Sequence, residues 1–307
     1  MKKRNVVIGI VISLLLGVSV PLVVDAINNK VNPPSSSEEL PPHIPLDPEF
    51  LEKPNDGSKP SDYDPFENYR IAGGVLSLTE NFKTVQEGNA LSEMIIKNNQ
   101  KVSAQRVVNG DRGYVTYSTS SSFVKTAVER YYLEDKVLVR NGKFNDQNVV
   151  FEDSTDPLTY SYEYIEDNIG WLPFAMTSYI INEDTIVSSK VIEGDNYVME
   201  FILDNSDSIS KTKKEVRYNA NAVSYPKYKQ VKVSIALDDE WRVLSIKTED
   251  IYDITVKMGI NITTEVKSNL LETFYYEDCE LSSISSYPYF SQYFDEEVND
   301  EEEYVKE

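Results

Sequence analysis

The chain has 307 residues, a formal net charge of −21, one histidine and one cysteine. A surface this acidic repels phosphate backbones, which argues against nucleic acid as a partner. A single cysteine, Cys279, excludes an internal disulfide, and the lone histidine, His43, lies among prolines in a tether-like stretch, which excludes imidazole triads and histidine metal sites in the folded region.

In chain order, the first feature is a short basic head, Lys2-Lys3-Arg4, followed by an uncharged apolar run from Val6 to Val24. This reads as an export segment spanning residues 1–26. Its length favours a retained anchor over a cleaved signal, with cleavage after Ala26 as the alternative. The basic head then stays in the cytoplasm and the rest of the chain lies outside. Residues 27–68 hold nine of the fourteen prolines among Ser, Asp, Glu and Lys, the composition of an extended, disordered tether.

Ordered structure is expected over 69–294 as a single β-rich extracytoplasmic domain. Ile71 to Phe82 reads as an entry strand kinked at Gly73-Gly74, and Leu91, Met94 and Ile95 have helical spacing. Val102–Val108 and Tyr114–Tyr117 form a hairpin through Asn109-Gly110-Asp111. Thr126–Leu133 and Lys136–Arg140 form another, and Asn141-Gly142 turns the chain into Lys143–Phe151. From Pro157 the alternation stops, and Pro173 to Asn182 reads as a helix with proline in its first turn.

Thr185–Val191 and Tyr197–Leu203 make a further hairpin, and Asp204–Ala222 contains a second short helix with Asp207 as its expected N-cap. The main meander follows. Val231, Val233, Ile235 and Leu237 alternate with polar residues before the Asp238-Asp239-Glu240 turn, Trp241 opens the return strand, and the alternation resumes from Tyr252 to Val266. Ser285 to Phe294 carries five aromatics, expected to pack back on the sheet unless they form an exposed arm for a partner. Residues 295–307 read as a disordered acidic tail.

No chemical signature accompanies these elements. Ser-x-x-Lys occurs at Ser122, Ser210 and Ser224 without the companion motifs of a penicillin-binding site. No phosphate loop or EF-hand is present. Paired acids such as Asp238 and Asp239 fall in turns, and the Asn261-Ile262-Thr263 sequon falls in a strand. Cys279 lies among Glu277, Asp278 and Glu280, a setting that disfavours a thiolate. The expectation is a non-enzymatic protein with no cofactor and no metal.

The pattern predicts an α+β fold: a long curved antiparallel meander of ten or eleven strands, half-barrel-like, with two or three short helices on the concave face. The order of elements, with the stretches SYIINEDTIVSS, NYVMEFILD and EDIYDITV, resembles the bacterial lipoprotein-carrier-like half-barrels of the cell envelope. The resemblance covers residues 70–278, includes no ligand motif, and departs from the lipoprotein members in lacking a lipid-acceptor cysteine. It implies a fold suited to a hydrophobic, lipid-like ligand. Trp171, Phe174, Met176 and Tyr179 would line the opening, with Trp241 deeper, the alternative for all five being ordinary core packing. The second reading of function is a cell-envelope interaction or assembly module that binds a protein partner and no small molecule.

Overall fold

A computed structural model describes residues 50–293, apart from 94–96, 122–124, 146–147, 152–155, 171, 193, 195, 221 and 259. The expected export segment, most of the tether and the acidic tail lie outside these residues. Among the described residues no helix is long and apolar enough to cross a membrane.

Twelve antiparallel strands form one open sheet, with a few short helices against it. β1 (Asn81–Glu93), β2 (Lys97–Asn109), β3 (Arg112–Ser120), β4 (Lys125–Tyr132), β5 (Val137–Asn145) and β6 (Asn148–Val150) step outward from the centre. β7 (Leu158–Tyr160) adds beside β5. The chain then crosses to the opposite edge and steps back as β8 (Ile186–Ile192), β9 (Tyr197–Leu203), β10 (Lys227–Leu237), β11 (Val243–Met258) and β12 (Ile260–Tyr275). β12 closes on β1, so the two meanders meet mid-sheet. That junction needs close approach at Gly88, where a Cβ would come within 2.1 Å of the Asn269 carbonyl oxygen.

Alternation sets the two faces. On the inner face, Val231, Val233, Ile235 and Leu237 of β10 stand opposite Asp250, Thr248, Ile246 and Val243 of β11. Tyr117 of β3 packs against the same core cluster as Tyr252 of β11, whose hydroxyl is held above its usual pKa by burial and, less, by Tyr117. α1 (Pro65–Ser77) packs over the β8–β11 half of the inner face, with Tyr69 edge-on to Phe201 at 6.0 Å. Its N-cap is Asp64, which accepts from Glu67 N.

α1 corrects two expectations. The Ile71–Phe82 stretch is mainly helix, because Tyr69, Ile71, Ala72 and Leu76 keep a helical apolar face and Asp64-Pro65 starts it. The tether also ends earlier than residue 68. Phe50, Leu51, Tyr63 and Phe66 pack on the core, and Gly73-Gly74 is the flat spot they need, since a Cβ at Gly73 would meet the Phe50 ring at 2.3 Å.

Three further expectations change. Leu91 belongs to β1, whose pairing with β2 continues through Ser92 and Glu93, while Met94 and Ile95 lie outside the described residues. The chain does not turn at Asn141-Gly142; β5 runs through them, and the glycine makes room for the Phe151 ring, 2.7 Å from where its Cβ would be. Pro173–Asn182 is a series of turns, and the helix of this region is α2 (Tyr162–Asn168), capped by Ser161 accepting from Tyr164 N. The other predicted helix is α3 (Thr212–Asn219), preceded by Lys211 in place of Asp207. The hairpins at 102–117, 126–140 and 185–203 and the final meander are as read, and the return strand after Trp241 begins at Val243.

On the outer face the C-terminal segment covers β2–β5. Its α4 (Tyr287–Ser291) places Phe290, fully buried, against Tyr131 at 4.8 Å, so the aromatic run packs on the sheet. Beneath it Arg140 pairs with Glu129 at 2.5 Å, both inaccessible to solvent. The outer face of β8–β12 instead carries cross-strand ion pairs, such as Lys232 with Glu200 and Lys229 with Asp253.

Candidate functional site

The crossover from β7 to β8, residues 161–185, is a strap laid across the inner face. It begins as α2 and leaves the helix at Gly170, whose φ of +98° is in the region glycine tolerates. A Cβ there would also lie 2.5 Å from the Lys211 carbonyl oxygen. From Leu172 onward the strap has no repetitive backbone pairing, and several of its carbonyls are taken up by side chains of the sheet.

Arg106 of β2 does most of this. Its Nη1 donates to the Pro173 and Ala175 carbonyls at 2.9 and 2.5 Å, and its Nη2 to the Met176 carbonyl at 3.3 Å. Its Nε reaches Thr84 Oγ1 and Glu272 Oε1, at 3.2 and 2.9 Å. Phe82 and Phe274, stacked on each other at 5.9 Å, each lie 5.2 Å from the guanidinium carbon. Arginine suits this position because its planar fork presents several donors in fixed directions.

The second anchor is Tyr179, whose hydroxyl donates to Asp250 Oδ2 on β11. Asp250 is 5% exposed, and burial pushes its carboxyl up to about 7, the Tyr179 hydrogen bond pulling the other way. Its Oδ1 and the nearby Tyr228 hydroxyl have no partner among the described residues. Tyr228 and Tyr252 lie beside it, their rings tilted by 31° with centroids 5.0 Å apart. Further along, Thr212 Oγ1 of α3 donates to the Ser178 carbonyl at 3.0 Å, and Ile180 N to the Ser208 carbonyl at 2.8 Å.

Of the residues expected to line an opening, Phe174, Met176 and Tyr179 lie along this one strap. Phe174 is half-buried and edge-on to Tyr132 at 6.3 Å; Met176 and Tyr179 are buried in the main core. Trp241 is fully buried at the β10–β11 turn, where its indole N–H donates to Asn68 Oδ1 at 2.6 Å. Trp171 lies outside the described residues. Two hollows among those residues lie elsewhere. One is a groove of about 250 Å³ between Lys59-Pro60-Ser61 and the end of β8 at Val191 and Ile192. The other, about 180 Å³, is bounded by Gln105, Thr116, Val149 and Phe151. Drug-sized ligands occupy chambers of about 300–1,000 Å³.

Arg106, Glu272 and Asp250 were not singled out by the sequence reading, although a signal existed. Each takes an inward position in an alternating strand, as Asp250 does between Thr248 and Tyr252, and a charge there needs a buried partner. Among the described residues no His, Cys, Asp and Glu cluster has the arrangement of a metal site. Cys279 is buried, its Sγ donates to the Tyr275 and Glu277 carbonyls, and burial pushes its thiol up.

Neither a scan against protein-family models nor a search of curated proteins finds a match to this chain.

Proposed function

We propose that this protein is a non-enzymatic interaction module displayed outside the cell membrane, working through its surface and binding no small molecule. The supporting observation is the filled inner face. Met176, Tyr179, Met199, Phe201 and Trp241 occupy the space between sheet, strap and α1, and each is buried. The exposed apolar side chains lie elsewhere.

β8 is an edge strand that carries three of them, Val187, Val191 and Ile192, as many as β12. Val187 is 67% exposed and Val191 46%, on a strand that pairs only with β9 among the described residues. An edge strand offers unpaired N–H and C=O groups to a partner, and the groove beside Val191 and Ile192 continues that edge. The test is a photo-crosslinking amino acid at position 191 of the full chain, expressed in its own cells. A discrete protein adduct, absent when the probe is moved to the covered position 138, is the expected result. No adduct at 191 counts against the reading.

A second reading, a carrier of a lipid-like ligand, is favoured by one observation. The strap spans the sheet through two side-chain anchors, and its lifting would expose the aromatic inner face together with the unpartnered Asp250 Oδ1 and Tyr228 hydroxyl.

A further inference from the structure

We propose that Asp250 and Tyr179 form a proton-operated latch on the 172–185 strap, closed when Asp250 is protonated and loosened when it ionises.

The geometry gives the latch its parts. Asp250 lies on the inner face of β11, opposite Val231 of β10 and Ser268 of β12. From the strap it receives the Tyr179 hydroxyl. The other titratable groups around it are Tyr228 of β10 and Tyr252 of its own strand, with Glu215 of α3 acting on Tyr179 and Tyr228. None of these supplies a positive charge. Glu249 and Lys232 are paired on the opposite face of the sheet. A buried carboxylate thus meets one hydrogen bond, no cation among the described residues, and a second oxygen with no donor.

The neutral acid has no charge to solvate and fits this site, whereas the ionised acid gains by reaching water. The strap is the element whose movement admits water, since β10, β11 and β12 are locked in one ladder. With a carboxyl held near 7 when closed and an ordinary carboxylate when open, the closed state binds the extra proton. Opening therefore grows as pH rises from about 4 to about 7 and levels off above that. The inference stands independently of which function the protein serves.

The experiment is hydrogen exchange by mass spectrometry on the full chain at pH 5, 6, 7 and 8, with rates corrected for the intrinsic pH dependence of amide exchange. Between pH 5 and 6 the strap peptides should lose protection by up to about tenfold, with little further loss from 7 to 8, while β10–β12 hold theirs. In Asp250→Asn the strap should show no such dependence. Strap protection that is flat with pH in the wild-type chain, or an unchanged dependence in D250N, overturns the latch. Should D250N fail to fold, the wild-type Asp250 carboxyl, followed by carbon NMR, decides: a midpoint near 7 supports it and one near 4 overturns it.

Discussion

The Arg106 guanidinium meets Glu272 Oε1 at 2.9 Å across β1, the strand that lies between their own, so one ion pair bridges three strands at the seam of the two meanders. The same arginine holds three carbonyls of the strap. Removing one partner of a buried pair leaves an uncompensated charge, so Arg106→Met should destabilise the protein by about 3–5 kcal/mol in urea unfolding. Glu272→Gln, which keeps an acceptor, should cost less.

The buried Asp250 carboxyl gives stability a pH dependence of definite sign. Its folded-state pKa of about 7 exceeds the ordinary value, so the native state holds a proton that the unfolded chain releases, and the site loses stability as pH rises from about 4 to 7. Asp250→Asn should therefore raise the melting temperature at pH 8, with a gain on the order of 1–3 kcal/mol, and give no such gain at pH 4. Equal effects at both pH values would show that Asp250 does not titrate in this range.

Asn68 ties the segment before α1 to the sheet. Its Nδ2 donates to the Pro60 carbonyl and to Tyr197 Oη at 2.8 Å each, and its Oδ1 accepts from the Trp241 indole. Asn68→Ala leaves a buried indole N–H without an acceptor, at a cost of about 1–3 kcal/mol. A fragment beginning at residue 69 should unfold at lower urea than one beginning at residue 50.

The strand meander was legible because its alternation is nearly unbroken, as from Val231 to Leu237 and from Tyr252 to Val266. The entry helix was not, because Ile71-Ala72-Gly73-Gly74 reads locally as a flexible extended stretch. Those glycines are explained only by Phe50 and Leu51, residues of a proline-rich segment that composition assigned to the tether. The strap's helix was misplaced for a related reason. Pro173 suits a helix start, but the carbonyls of Pro173, Ala175 and Met176 turn toward Arg106, a partner 67 or more positions away. Of the site, the sequence singled out Phe174, Met176 and Tyr179, which lie along the strap, and did not show Arg106 and Asp250, the sheet side chains that hold it.

The C-terminal aromatic segment is part of the fold. Phe290 is fully buried against Tyr131 and Tyr114, and Tyr289 covers Arg140, its ring centroid 3.9 Å from the guanidinium carbon. Phe290→Ala should cost about 3–5 kcal/mol, read as a lower urea midpoint. A loss below about 1 kcal/mol would mean that the segment is not docked in solution.

The most direct measurement is mass spectrometry of organic-solvent extracts of the full chain purified from its own cells, read alongside its melting temperature with added fatty acids and phospholipids. A sheet whose inner face is filled by Met176, Tyr179, Phe201 and Trp241 should carry no stoichiometric lipid and gain no stability from any of them. A lipid recovered at about one per chain, with a matching rise in melting temperature, would contradict the account and make the strap the lid of a carrier.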